Sequence, residues 1–187
     1  MTAERDRLAS IDFIKSRFKR HYEKCELQLP ERFGRREFGF LHFGRDSMQR
    51  HMGFRTRAEI RDFLTGNPPM HAYHSAAYYE SPDAPTMDEK HWLGADLIFD
   101  LDADHLKNAK DMKYEEMLAA VKVEFEKVLY DYVMDDLGFS REHMTVVFSG
   151  ARGYHLHIRD PRVLQLQSHE RREIVDYITG PSVEDIE

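Results

Sequence analysis

The chain reads as an α+β protein, a mixed sheet with helices packed on one face, and three observations carry that reading. Residues 95–102 alternate as a strand, with Leu97, Phe99 and Leu101 on one side and Ile98, Asp100 and Asp102 on the other. Tyr114, Met117, Leu118, Val121, Phe125, Val128, Leu129 and Tyr132 then recur at helical spacing for about five turns. Two short strands follow, over 145–149 and 154–158, joined by a glycine-bearing turn. The order is strand, helix, strand, strand.

The elements before this centre follow from the same patterns. Leu8, Ile11, Ile14, Phe18 and Tyr22 predict an amphipathic opening helix over 8–25. After Pro30, residues 37–43 alternate around Phe38 and Phe40 as a strand, and Gly44-Arg45-Asp46 makes a turn. A helix over 56–64 buries Ile60, Phe63 and Leu64, and Gly66-Asn67-Pro68-Pro69 ends it. Residues 70–79 read as one more strand, with His71 and His74 as strand residues rather than metal ligands, because no third ligand stands nearby. Residues 81–85 are a loop. Trp92 is placed in the core, base stacking being its other use. Leu164, Leu166, Ile174, Val175 and Ile178 form an amphipathic surface for the core or for a partner.

At 187 residues, with 41% hydrophobic and 33% charged residues, the chain has the composition of a folded soluble domain. It reads as one domain over 1–187, with a basic helical and strand front over 1–66 and a motif-bearing core over 67–187. No apolar stretch approaches the about 20 residues that span a bilayer, and the mixed-charge start does not resemble a signal peptide, so no membrane partner and a cytoplasmic location are expected. Cys25, the single cysteine, excludes an intrachain disulfide and a multi-cysteine zinc site.

The net charge of −7 conceals an asymmetry. Residues 1–66 carry a net +5 and the remainder −12. Twelve of the 15 basic residues of the front are arginine, among them Arg32, Arg35, Arg36, Arg45, Arg50, Arg55 and Arg57. Arginine suits forked phosphate contacts, although most such residues singly are expected on solvated faces.

Two segments carry chemistry. Residues two apart on a strand lie about 6–7 Å apart on one face, so Asp100 and Asp102 can converge on Mg²⁺ or Mn²⁺, which prefer hard oxygen ligands. An isolated Asp-x-Asp is more often a solvated strand end; the apolar lead-in raises this one. Asp104 continues the alternation but falls past the strand and is expected to be solvated. The second segment, Ser149-Gly150-Ala151-Arg152-Gly153-Tyr154-His155, offers a hydroxyl, a guanidinium and an imidazole around two glycines, which suits a phosphate grip. A hairpin whose glycines serve only the turn is the plainer alternative.

Taken together, the chain resembles the small catalytic subunit of archaeal and eukaryotic DNA primase, the archaeal form in particular. The resemblance rests on Arg36-Glu37-Phe38-Gly39-Phe40, Phe99-Asp100-Leu101-Asp102 and the Ser149 to His155 motif, in the family's order and approximate spacing. It implies an RRM-like catalytic core and a nucleotidyltransferase that makes primers on a single-stranded DNA template during replication. It implies Asp100 and Asp102 as catalytic metal ligands, and Ser149, Arg152 and His155 as holders of the triphosphate. Glu37 and Arg50 match positions near the nucleotide more loosely. It also implies nucleoside triphosphates as substrates and a large primase subunit as heterodimer partner. A repair-type or mobile-element primase-polymerase uses similar motifs, and a non-catalytic nucleotide- or single-strand-binding module on the same fold is a different class of reading.

Three departures from the family pattern shape the expectations. Residues 104–143 contain no cysteine, so no structural zinc is expected. A third carboxylate, which the family carries well downstream of the histidine motif, does not occur before Glu187, so the chain is expected to be the front part of a longer subunit and to make little or no primer alone. The acidic second half offers no evident nucleic-acid surface, so template contacts are expected from the basic front, the missing part or a partner.

Overall fold

A computed structural model describes residues 2–106 and 109–180; Pro181 and the acidic stretch ending at Glu187 lie outside the described residues. The chain divides into two compact units, Met1–Leu93 and Gly94–Glu187. Each has its own apolar core.

In the first unit, α1 spans Thr2–Lys24 and starts earlier than the apolar spacing predicts, because Ala3, Glu4, Arg5 and Arg7 all favour helix. Its apolar stripe is not buried as expected. Leu8 and Ile14 are exposed, and only toward the C-terminal end does the stripe find partners, where Phe18 meets the Phe43 ring at 5.6 Å and Tyr22 packs on the core.

Three strands, β1 (Phe38–Leu41), β2 (Gln49–Met52) and β3 (His71–His74), form an antiparallel sheet in the order β2-β1-β3. The register passes from Phe38↔Met52 to Phe40↔Gln49. Two steps on β1 therefore oppose three on β2, which is a bulge at Arg50 and His51. His51 takes a positive φ of 58° there, an uncommon conformation for a residue with a Cβ.

Helix α2 (Arg57–Gly66) is capped by Thr56, whose hydroxyl accepts from the Glu59 N–H, while the Glu59 carboxylate accepts from the Arg55 N–H. Its buried Ile60 and Leu64 pack with Leu27, Phe38, Phe40 and Phe54. The Phe40 and Phe63 rings lie 4.5 Å apart.

The segment predicted as one strand over 70–79 is two, β3 and β4 (Ala77–Tyr79). Ser75 breaks it by donating its hydroxyl to the Ala77 carbonyl and accepting from the Glu37 N–H. A short α3 (Met87–Lys90) capped by Thr86 follows the loop, and β5 (Trp92–Ala95) pairs with β4. Trp92 is 40% exposed, so its predicted place in the core is corrected.

Several front arginines donate to backbone carbonyls of the fold. Arg61 donates to the carbonyls of Tyr22, Glu23 and Cys25, serving acceptors that the end of α1 leaves open. Arg57 donates to the Leu27 carbonyl. Arg36 is fully buried, donating to the carbonyls of Glu31, Ser75 and Ala76 and to the Tyr78 hydroxyl.

The second unit is built on an antiparallel sheet ordered β6-β8-β7, from β6 (Leu97–Asp102), β7 (Met144–Phe148) and β8 (Gly153–Ile158). Leu97, Phe99, Leu156 and Ile158 form its buried face, against Phe125, Val128, Leu129 and Val133. The predicted long helix is present but changes character. Helix α4 (Tyr114–Lys127) runs into a π-helix, Val128–Asp136, whose end is marked by the Leu137 N–H donating to Tyr132, five residues back.

Helix α5 (Ser168–Thr179) lays Ile174 and Ile178, with the preceding Leu166, against this core, while Val175 is exposed. Arg171 secures its start by donating to the carbonyls of Leu166, Val163, Asp96 and Ala95. Helices with small antiparallel sheets make the architecture α+β, as the pattern predicts, with the sheet divided into separate pieces. No helix among the described residues is long and apolar enough to cross a membrane.

Candidate active site

The two motifs of the second unit meet through strand register. On β6, Leu97 and Phe99 are buried, so the alternate residues Asp100 and Asp102 face away from that core. Strand β8 sets His155 directly opposite Asp100, and Gly153 opposite Asp102. His155 Nε2 lies 3.2 Å from Asp100 Oδ1. Direct antiparallel partners are the closest side-chain neighbours a sheet provides.

Glycine at 153 is a steric requirement. A Cβ there would stand 2.2 Å from the Leu101 carbonyl oxygen and 3.0 Å from Asp102 Cα. Without it, the backbone carrying Arg152 can approach the one carrying Asp102, and the Ala103 N–H donates to the Arg152 carbonyl.

The turn between β7 and β8 is organised by Ser149. Its N–H donates to the Gly153 carbonyl at 3.0 Å, and its Oγ accepts from the N–H groups of Ala151 and Gly153. Gly150 takes φ 83°, where a side chain would be strained. The Tyr114 hydroxyl, at the start of α4, donates to the Ala151 carbonyl at 2.9 Å. Ser149 is thus both the acceptor that closes the turn and a hydroxyl with a hydrogen left to donate.

Arg152 is already paired with carboxylates. It donates to Asp104 at 2.8–2.9 Å, and its Nε lies 3.9 Å from Asp102 Oδ1. Asp104, expected to be merely solvated, is therefore the partner of Arg152. All three side chains keep substantial exposure, and a pair of this kind contributes roughly 0–1 kcal/mol. An incoming anion can displace Asp104 at little cost. A cleft of about 440 Å³, lined by Asp104, Leu106, Ala109, Lys110, Asp111 and Arg152, opens beside it.

Among the described residues no three His, Cys, Asp or Glu side chains converge on one point. Asp100 and Asp102 nevertheless suit a hard divalent cation, because Mg²⁺ characteristically takes one or two carboxylates and completes its shell with water and substrate phosphate.

Glu37 and Arg50 lie in the first unit, where they form a cluster of their own. Glu37, immediately before β1, is buried. Its Oε1 accepts from Arg50 Nε at 3.2 Å and from the His51 N–H at 3.0 Å, so it clamps the bulge of β2. Its Oε2 lies 3.4 Å from Nζ of Lys90, a lysine with no exposed surface. The same ammonium donates to the Pro82 carbonyl and sits 5.5 Å from the centre of the Tyr79 ring. Burial alone would push the Glu37 carboxyl up, but the His51 N–H, the Lys90 ammonium and the Arg50 guanidinium together hold it below the usual carboxylate range.

Sequence reasoning missed Lys90. It ends a polar stretch, Met87-Asp88-Glu89-Lys90, in which nothing local distinguishes it from a surface lysine. His71 and His74 lie on β3, as strand residues.

Comparison with known proteins agrees with the motif order. Residues 99–183 match the family model described as DNA primase small subunit. Similar curated proteins include DNA primase small subunits of Methanocella arvoryzae, 51% identical over 175 residues, which is 92% of this chain and 44% of that protein. The one from Methanococcoides burtonii is 53% identical over 171 residues, 90% of this chain and 43% of that protein. The one from Methanosarcina acetivorans is 50% identical over 178 residues, 94% of this chain and 42% of that protein. The chain spans less than half the length of these relatives. With half its residues shared over nine-tenths of its length, in addition to both motifs, the chain belongs to the DNA primase small-subunit family.

Proposed function

We propose that this chain carries the metal- and triphosphate-binding part of a primase active site, in a nucleotidyltransferase of the DNA-directed primase type that makes short primers on single-stranded DNA. The observation that carries the reading is the register of β6 against β8, which sets Asp100 beside His155 and the Asp102 backbone against Gly153, with Arg152 between Asp102 and Asp104. Carboxylates that attract cations and a guanidinium that attracts phosphate then share one sheet end.

In this reading Asp100 and Asp102 hold Mg²⁺ or Mn²⁺. What such ions supply when bound is Lewis acidity and charge neutralisation at phosphate oxygens. Arg152 exchanges Asp104 for the triphosphate and neutralises charge that grows on the leaving pyrophosphate. Ser149 donates its hydroxyl hydrogen to a phosphate oxygen, and His155 donates from its ring while Asp100 sets the ring's position. Glu37 and Arg50 are assigned to nucleotide binding on the resemblance alone, Glu37 holding Arg50 within the first unit. Catalysis is then positioning and electrostatic stabilisation, with no covalent nucleophile. The substrates are nucleoside triphosphates, the template is single-stranded DNA, and the partner is the large subunit of a heterodimer. "Small subunit" in the names of the relatives supports that last assignment.

Replacing Asp100 and Asp102 together by Asn tests the reading. In the whole primase, primer synthesis with Mg²⁺ or Mn²⁺ is expected to fall by about a thousandfold or more, while single-stranded DNA binding is retained. Transfer that persists in the double variant refutes the metal assignment. Loss of DNA binding in parallel with transfer identifies a folding defect instead.

A further inference from the structure

The arginines of the first unit divide by what already holds them. Arg36, Arg57 and Arg61 direct their guanidinium hydrogens to the fold itself, and Arg50 is paired with Glu37. Arg32, Arg35 and Arg55 behave differently. All three are exposed, none is paired with a carboxylate among the described residues, and together they line one cleft of about 600 Å³ within this unit. That volume falls in the range of roughly 300–1,000 Å³ over which ligand sites occur.

Each of the three is held in one place and keeps N–H groups to offer. Arg32 takes a left-handed φ of 51°, an uncommon conformation for a residue with a Cβ, and its guanidinium lies 5.4 Å from the centre of the Tyr78 ring. Arg35 uses one terminal nitrogen to donate to the Glu80 carbonyl at 2.9 Å, which leaves its remaining N–H groups for a ligand. Arg55 is fixed at its backbone, where its N–H donates to the Glu59 carboxylate at 2.7 Å. Guanidinium forks from two separate segments, one before β1 and one between β2 and α2, therefore border the same space.

The acidic residues of the cleft select among anions. Glu80 and Asp83 also line it, so three guanidiniums stand against two carboxylates, a net +1. A nucleoside triphosphate concentrates several negative charges in one place, where two nearby carboxylates oppose it. A phosphodiester chain carries one charge per link and spreads them along its length, which suits guanidiniums distributed around a cleft. We propose that the cleft of Arg32, Arg35 and Arg55 binds the phosphodiester backbone of single-stranded DNA. The inference rests on the reading of the chain as part of a template-directed enzyme, and it involves the first unit alone. It gives a place in the fold to part of the +5 excess that residues 1–66 carry.

The test is equilibrium binding of a fluorescently labelled single-stranded oligonucleotide to the whole primase over a range of salt concentrations. Nucleotide is omitted and a chelator is present, so the result does not depend on metal held by Asp100 and Asp102. Arg32→Gln/Arg55→Gln is expected to weaken binding about tenfold and to lower the slope of log K against log salt by about 1.4, the counterion release of two single-strand phosphates. Arg5→Gln/Arg7→Gln removes the same charge from exposed positions on α1. It is expected to leave the slope within about 0.3 of the parent's. Equal losses in the two double variants would mean diffuse attraction to a basic surface and overturn the proposal, as would an unchanged slope in Arg32→Gln/Arg55→Gln.

If Arg32→Gln/Arg55→Gln does not fold, Asp83→Asn replaces it, because a gain of affinity cannot come from misfolding. Removing that carboxylate from the exposed lining is expected to tighten DNA binding about threefold; unchanged or weaker binding overturns the proposal. Steady-state synthesis on saturating template separates the other occupant. Arg32→Gln/Arg55→Gln is expected to keep KM for the nucleoside triphosphate within about twofold, and a KM raised about tenfold beside unchanged DNA binding makes the cleft a triphosphate site and overturns the proposal. A parent primase that binds no single-stranded DNA refutes the template reading, and the inference with it. Parent binding that persists at full strength in the cleft variant refutes the inference alone.

Discussion

The two units handle charge in opposite ways. In the first, Glu37 and Lys90 are buried and each is committed to several partners, so removal of either leaves a charge with no water to receive it. In the second, Asp100, Asp102, Asp104 and Arg152 keep solvent access, Arg152 pairing with Asp102 and Asp104 and Asp100 with His155. The buried set resists rearrangement and suits fixing a backbone. The exposed set can trade partners and suits receiving a ligand whose charge must come and go.

The comparison is broken most sharply by Glu37→Ala, which strands the Lys90 ammonium. It is expected to destabilise the protein by about 3–5 kcal/mol in denaturant unfolding. The pH dependence has a definite sign. Because the Glu37 carboxyl is held below its usual range, its contribution is present above the unfolded-state pKa and is lost as pH falls through the lower folded-state value. Acid unfolding of the parent is expected to lose this contribution in that window; an acid limb identical in Glu37→Gln removes the argument.

Next in size is Gly153→Ala. A methyl 2.2 Å from the Leu101 oxygen forces β8 from β6, costing about 1–3 kcal/mol, and nucleotide binding is expected to weaken with it. Unchanged stability by thermal melting would show that the sheet end yields more easily than its geometry implies.

Asp160 offers an intermediate case. It accepts from the Arg162 backbone and side chain, and those bonds hold its carboxyl down at about 2 despite burial. Asp160→Ala is expected to cost about 1–2 kcal/mol as a lost cap. The contribution is complete above the unfolded value of about 3.9 and disappears as pH falls through about 2. Equal stability of variant and parent at neutral pH would refute it.

The smallest effect on folding belongs to the exposed set. Asp104→Asn is expected to change stability by less than about 0.5 kcal/mol, yet to tighten binding of a nucleoside triphosphate, since Arg152 loses a competing carboxylate. Isothermal titration gives the answer. Weaker binding in the variant would mean that Asp104 orients Arg152 instead of occupying it.

Legibility in the sequence divides along the same line. The exposed set was readable because its chemistry is local: apolar alternation located β6, and the glycines around Arg152 marked the turn into β8. The long helical run was equally plain. The buried set was not readable. Lys90 is made interior by Pro82, Tyr79 and Glu37, and the last of these lies more than fifty residues away along the chain. The bulge at His51 depends on the β1 register. The burial of Arg36 depends on carbonyls of Ser75 and Ala76. Asp104 does lie past the strand and exposed, as its position implied, but its pairing with Arg152 was not readable, that partner standing 48 positions onward. The helical spacing of α1 identified the helix but not how little of its apolar stripe would be covered.

Trp92, exposed at the start of β5 and the single tryptophan of the sequence, turns the division of the chain into something measurable. It belongs to the unit that ends at Leu93, two residues beyond Lys90, and the other unit has no indole. Its fluorescence therefore reports on one half of the molecule, whereas far-ultraviolet circular dichroism sums both. Coincident melting curves by the two methods would mark a single cooperative transition, and separated curves would give each half a stability of its own.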